Sequence, residues 1–247
     1  IAYAITANAQ CPNNEIWYTT TDGKKLENIY LFDGSAEELS EDNIVISHTY
    51  TDGKGVIRFG RELDLIGGDE GDIYFEGQTN LKTIILPNSI TSIGSGAFTG
   101  CTSLTSITIP NSVEWIMHGA FEGCKSLTSI TIPNSIEDID SFAFLNCDNL
   151  KTFKGKYASK DGKYLVKDGT LIACISTGVS SFTVPHDVSV IGPHAFYGSS
   201  ISQIILHDKI VAIEESAFMR CNNLTNITIP NSVTVIKRDA FALSPCE

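Results

Sequence analysis

Apolar residues recur along this chain at constant spacing, most clearly from Leu81 to Asn149. There one 23-residue pattern is written three times: LKTIILPNSITSIGSGAFTGCTS from Leu81, LTSITIPNSVEWIMHGAFEGCKS from Leu104 and LTSITIPNSIEDIDSFAFLNCDN from Leu127. A period in the twenties with apolar residues at fixed phases predicts a solenoid, because one coil cannot bury its own apolar face and stacking on neighbours completes the core. Each Ile-x-Ile predicts a short strand with both Ile turned inward, and strands of successive coils stack in parallel about 4.8 Å apart. The Pro that follows lacks an N–H and ends the strand. The segment Gly-x-x-Ala-Phe-x-Gly-Cys is too short for a full helix. It reads as a turn or a single 3₁₀ or α turn, with the Phe residues stacked into an internal spine.

The rest of the chain registers against these copies. Asp22-Gly23 and Asp52-Gly53 sit between β-forming runs and predict two hairpins, over 14–32 and 44–59, with a helical turn or loop at 35–43 between them. Ile57, Phe59, Leu63 and Ile66 fall at the phases of Ile107, Ile109, Val113 and Ile116, so a diverged first coil spans about 56–80. After Leu150 the next coil starts only near Val179, and DGKYLVKDGTLIAC predicts a hairpin insertion around 154–178. Spine positions are Phe75, Phe98, Phe121, Phe144, Phe196, Phe218 and Phe241. The organisation expected is therefore a hairpin cap over 1–55 and about eight coils over 56–247.

The consensus LxxIxIPxxVxxIGxxAFxGCxx resembles the BspA-like leucine-rich repeat of bacterial surface proteins over roughly 56–247, since phase, Pro, Ala-Phe and Cys recur together. NEIWYTTTDGK and YTDGKGVIRF are similar to segments found ahead of such repeats. The resemblance implies an exported right-handed solenoid, cell-surface or secreted, used in adhesion to host matrix or other cells, and no enzyme and no cofactor. Ser199 and Ser244 at Cys phases, and Gly60 and His207 at Pro phases, depart from the pattern.

Charge narrows the partners. The net charge is -12, and residues 1–80 hold 15 of the 29 acids but 5 of the 17 bases. Nucleic acids and anionic membranes need clustered Lys and Arg, so neither is expected, and a protein or glycan remains. No apolar run reaches the roughly 18 residues of a membrane span. The chain begins at Ile1 with ten uncharged residues, which fits a chain whose export signal has been removed.

The outward strand positions form the candidate binding face. One column is Thr83, Ser106, Ser129, Thr152, Ser181, Gln203 and Asn226, and its neighbour is Ile85, Thr108, Thr131, Lys154, Thr183, Ile205 and Thr228. Ser and Thr also simply tolerate exposed strand positions. Trp115 occupies a phase held elsewhere by Ser92, Asp138, Val190 and Ala212; with Met117 and His118 it has the composition of a protein-contact site, and the alternative is a Trp folded down over its own coil. Cys101, Cys124, Cys147 and Cys221 share one phase with parallel Cβ vectors and predict buried free thiols, since a disulfide needs converging vectors. His186, His194 and His207 occupy three different phases, so no metal centre is expected from them. Asp64, Asp69, Glu70 and Asp72 lack the spacing of a calcium loop. The leading reading is a non-catalytic adhesion or interaction module. Its alternatives are a structural stalk of a larger surface protein, and a metal-binding or enzymatic role in the acidic N-terminal part. The strand Asn226 to Ile229 has no obvious partner, which points either to more of a longer natural chain or to end-to-end self-association.

Overall fold

The structure, a computed structural model, describes residues 10–27, 29, 45–68 and 73–246. It folds as two compact units, residues 1–150 and 151–247. The described residues contain strands and turns but no helix.

The first unit holds β1 (Glu15–Thr20), β2 (Val45–Thr51), β3 (Lys54–Phe59), β4 (Leu65–Ile66), β5 (Leu81–Ile85), β6 (Ser92–Ile93), β7 (Ser106–Thr108), β8 (Trp115–Ile116), β9 (Ser129–Ile132) and β10 (Asp138–Ile139). The expected Ile-x-Ile strands form its front: β5 and β7 pair in parallel with Thr83 opposite Ser106 and Ile85 opposite Thr108, and β9 lies beside β7. A second parallel ladder, β4-β6-β8-β10, runs along the rear. Its two-residue rungs place Ile66, Ile93, Ile116 and Ile139 inward, all buried.

The N-terminal strands join the front sheet in the order β2-β3-β1-β5-β7. β2 and β3 make the hairpin around Asp52-Gly53. β1, however, pairs antiparallel with β3 on one side and with β5 on the other. Both edges of β1 are thus filled, and none is left for the partner expected within 14–32; of that partner, residues 28 and 30–32 lie outside the described residues, as does 35–43. Hydrophobic burial against the first coils decides the pairing, since Ile16 and Tyr18 have no exposed surface. Tyr18 lies flat against Gly55, where an added Cβ would stand 2.0 Å from the phenol ring.

The second unit holds β11 (Thr152–Gly155), β12 (Tyr164–Lys167), β13 (Thr170–Cys174), β14 (Ser181–Thr183), β15 (Val190–Ile191), β16 (Gln203–Ile205), β17 (Ala212–Ile213), β18 (Asn226–Ile227) and β19 (Val235–Ile236). Its front ladder is β14-β16-β18, and its rear sheet is β12-β13-β15-β17-β19. β12 and β13 form a hairpin whose second strand pairs in parallel with β15, so the hairpin supplies a rung of the rear ladder.

Three side-chain ladders stitch coil to coil. Phe75, Phe98, Phe121 and Phe144 stack at 5.5, 5.4 and 5.8 Å with nearly parallel planes. Phe196, Phe218 and Phe241 do the same at 5.2 and 5.1 Å. The Ser of Pro-Asn-Ser donates to a backbone carbonyl of the preceding coil: Ser112 to Ile90, Ser135 to Val113 and Ser232 to Ile210, at 2.6 to 2.7 Å. Finally, Cys101, Cys124, Cys147 and Cys221 donate to the carbonyls of Phe75, Phe98, Phe121 and Phe196 at 2.9 to 3.3 Å. Ser244, at the same phase, donates to Phe218 at 2.6 Å.

The Ala-Phe turn has its own rule. The residue before Ala is left-handed in every regular coil: Gly96, Gly119, Phe142, His194, Ser216 and Asp239 have φ between 54° and 68°. A left-handed residue recurs two positions after each Phe, at Gly100, Gly123, Asn146, Gly198, Arg220 and Leu243. These reversals stop any helix after one turn and explain the paired glycines of the consensus. A non-Gly residue there costs about 1–2 kcal/mol.

Candidate functional site

The front face is built from the residues that alternate with the buried Ile positions. In the first unit Ser106 and Thr131 are exposed, while Thr83, Thr108 and Ser129 are half-buried. Ile85, expected in the outward column, is instead buried at 3% exposure, because β1 packs beside it with Trp17 opposite and the Cys11 thiol donates to its carbonyl. In the second unit Ser181, Thr183, Gln203, Ile205, Asn226 and Thr228 are exposed on β14, β16 and the end of β18. The register sets Gln203 between Ser181 and Asn226, and Thr183 beside Ile205. A groove of about 320 Å³ runs between β16 and β18, lined by Gln203, Ile205, Leu206, Thr225, Asn226 and Thr228. Thr152 and Lys154 stand on β11, outside this ladder.

Trp115 is not on the front. It heads β8 on the rear ladder, 39% exposed, with Ser92 and Asp138 as its neighbours and Met117 37% exposed just beyond. His118 meets the edge of Phe142 at 5.0 Å. Val235 and Ile236 of β19 are 43% and 50% exposed.

The N-terminal strands add a cluster that periodicity does not reveal. Glu15 is buried, accepts from Trp17 Nε1 at 2.7 Å and pairs with Arg58 at 2.6 Å. Burial pushes its carboxyl up, but the bonds from Trp17 and Arg58 prevail and hold it below the ordinary range. The Lys54 ammonium sits 3.1 Å from the Trp17 ring centre, a cation–π contact. The only clue in the sequence is the alternation of Glu15, Trp17 and Thr19, which places all three on one side of a strand. On its other side, Leu26 N–H donates to the Tyr18 phenol oxygen, and the phenol is hydrogen-bonded to His48 Nε2 at 2.6 Å. Burial, with the charge of Lys25, pulls His48 down to about 4, so its ring is neutral near pH 7. A polar groove of about 430 Å³ lies nearby, lined among others by Asp22, Lys24, Glu27, Glu76, Gln78 and Asn80.

Among the described residues no group of three His, Cys, Asp or Glu side chains is placed to hold a metal ion. His186 and His207 stack at 4.5 Å, and His207 Nε2 donates to the Pro185 carbonyl while Nδ1 accepts from Lys209 N–H. Of the acidic loop, Asp69, Glu70 and Asp72 lie outside the described residues. Burial pushes the Cys101 and Cys147 thiols up to about 12, Cys221 to about 11, and Cys124 higher still. None is poised as a nucleophile. No described helix is long and apolar enough to cross a membrane.

Short parallel front strands, a consensus Leu/Ile phase and coil-to-coil ladders define a leucine-rich-repeat solenoid. The BspA-type leucine-rich-repeat family model matches residues 71–161 and 173–247 in six copies, and the chain belongs to that family. Two solved bacterial structures are similar. A leucine-rich cell-surface protein from Faecalibacterium prausnitzii A2-165 shares 29% identity with a TM-score of 0.50, over 66% of this chain and 51% of that one. The pneumococcal vaccine antigen PcpA shares 27% with a TM-score of 0.54, over 62% of this chain and 40% of that one. The chain thus spans about half or less of these relatives' length. No curated protein matches it significantly.

Proposed function

We propose that the chain is a non-catalytic interaction module, displayed at a bacterial cell surface or secreted, that binds a protein or glycan of a host matrix or neighbouring cell through its front strands. The observation that carries the reading is the front face itself. Its Ser, Thr, Asn and Gln side chains stand in registered columns, exposed at Ser106, Thr131, Ser181, Thr183, Gln203, Asn226 and Thr228. The β16–β18 groove adds a concave site lined by apolar Ile204, Ile205, Leu206 and Ile227 together with Ser202, Gln203, Thr225, Asn226 and Thr228, a mixture of apolar wall and polar groups that ligand sites use. The relatives support the location, since one is described as a cell-surface protein and another as a vaccine antigen.

The test is a glycan array and a matrix-protein panel probed with the wild-type chain and with Thr131→Lys and Thr228→Lys variants. A ligand retained by the wild type and lost by either variant supports the reading. Silence on both panels favours a structural stalk. The exposed Val235 and Ile236 support self-association at β18 and β19; sedimentation should show it rising with concentration and weakened by Thr228→Lys.

A further inference from the structure

The second unit opens on a segment whose charge runs against the rest of the chain. Residues 151–167 hold six of the 17 Lys and Arg and one acid, Asp161, so the segment carries +5 in a chain of -12. Folding gathers these lysines. Gly162 N–H donates to the Ser159 carbonyl and closes a turn, and the Gly162 carbonyl accepts from Phe153 N–H of β11 at 2.8 Å. The contact is close, since a Cβ on Gly162 would stand 2.8 Å from the Phe153 carbonyl oxygen. The Ser159 hydroxyl braces the turn from inside: it donates to Asp161 Oδ1 and accepts from the N–H groups of Lys163 and Tyr164 at 2.9 and 3.2 Å. Lys163 Nζ reaches back to the Lys151 carbonyl at 3.0 Å, so the residues at the two ends of the segment's first loop lie side by side. Lys154 points outward from β11 because its neighbour Phe153 is buried, and Lys160 sits in the turn itself. Lys151, Lys154, Lys160 and Lys163 are all exposed. Among the described residues no hydrogen bond or ion pair holds the ammonium groups of Lys151, Lys154 and Lys160. The apolar side chains Phe153 and Leu165 are buried and offer a partner nothing.

We propose that this basic turn is the contact for an acidic polysaccharide, a linear glycan that carries sulfate or carboxylate groups. Each Lys ammonium is a compact charge on a flexible stem, which suits anionic groups strung along a polymer. The hydrogen bonds around Ser159 fix the turn, so the ammonium groups are gathered before the ligand arrives. A protein partner needs a desolvated aromatic or apolar anchor, and this segment exposes no large apolar side chain. A bilayer or a nucleic acid needs a broad basic surface. With +5 here, the rest of the chain stands at -17 and repels both, whereas a single glycan chain is narrow enough to follow the turn. The inference rests on a glycan being among the partners of the proposed module, and of the outward front positions it uses Lys154 alone.

The probes are a short heparin fragment, which carries sulfates, a hyaluronan fragment of the same length, which carries carboxylates alone, and neutral dextran, each titrated against the whole chain by calorimetry. At least one acidic fragment is expected to bind, the tighter of the two telling sulfate from carboxylate, and dextran is expected not to. Binding should weaken as salt rises from about 50 to about 300 mM. The triple variant Lys151→Gln, Lys154→Gln, Lys160→Gln should bind about tenfold more weakly with an unchanged melting temperature, since these exposed ammonium groups hold nothing in the fold. The same three positions changed to Arg should retain binding, as should Thr228→Gln on the front. Equal binding by the Gln triple variant, equal binding of dextran, or no binding of either acidic fragment by the wild type at about 1 mM overturns the inference. Tighter binding, at equal charge, of a polyglutamate peptide, an oligonucleotide or phosphatidylserine vesicles assigns the turn to another class of partner and overturns it too. The front-face reading is separated by the pattern of variants. Acidic-glycan binding that survives Thr228→Gln and is lost in the Gln triple variant supports the basic turn even if the front face binds nothing, and the reverse pattern moves the contact to the front and overturns the inference.

Discussion

At the scale of single residues, the consensus is a set of hydrogen-bond assignments. Phe98 O accepts Cys101 N–H from its own coil and the Cys124 thiol from the next, and the same double acceptance recurs at Phe121 with Cys124 N–H and the Cys147 thiol. Ser244 fills this role in place of Cys, which shows that a small donor is what the phase requires. Mass spectrometry of denatured, unreduced protein should therefore find Cys101, Cys124, Cys147 and Cys221 all alkylatable, whereas in the native protein burial keeps them slow to react. A Cys101–Cys124 linked peptide would contradict this. Ser135→Ala removes the donor to Val113 O and should cost about 1 kcal/mol in urea denaturation. Phe121→Ala, which empties the spine between Phe98 and Phe144, should cost about 3–5 kcal/mol. Thr131→Ala on the exposed front should cost under about 0.5 kcal/mol, and equal losses for these last two would reverse inside and outside.

At the scale of elements, legibility followed pattern length. The front strands and the Phe spine repeat at constant phase over several coils, and most of the apolar residues that mark them in the sequence are buried, with Ile107, Phe144, Ile227, Ile229 and Phe241 half-buried. The rear ladder was not legible, because a two-residue rung carries no alternation to read. Ser92, Trp115 and Asp138 share a phase in the sequence, but only their pairing shows that they are rungs of one ladder. β1 was misjudged for a different reason: Asp22-Gly23 is a local turn signal, but the pairing that wins joins Trp17 to Val56 and Ile85, far along the chain. Ile85 disappeared from the candidate face with it, while the other outward positions kept their side. Gly55→Ala tests the fit of β1 on β3. A Cβ there meets the Tyr18 ring, which is fully buried and cannot swing aside, so the loss in denaturant titration should be about 3 kcal/mol or more.

At the scale of the whole molecule, His48 makes stability depend on pH. His48 has a folded pKa of about 4 against an ordinary 6.5, owing to burial first and Lys25 second, and burial pushes the phenol of Tyr18 beside it up to about 12. Between those two values the unfolded chain binds a proton that the folded chain refuses, so the stability that His48 contributes falls as pH drops from about 6.5 to about 4, and this contribution levels off below. The denaturation midpoint measured across that range should show the fall, and His48→Gln should flatten it.

The position of β1 also sets an order of events in time. Its neighbour β3 is complete once Phe59 has been made, but β5 does not exist until Ile85 has followed. A chain growing from its N-terminus therefore passes through a stage in which a strand with buried Ile16 and Tyr18 has one partner and one open edge. Closing the β1–β5 seam is a long-range step, slower than the neighbour-on-neighbour stacking of later coils. The clasp beside the first coils thus closes more slowly than the coils that follow them stack, so coils added after Ile85 are laid down while that seam is still open.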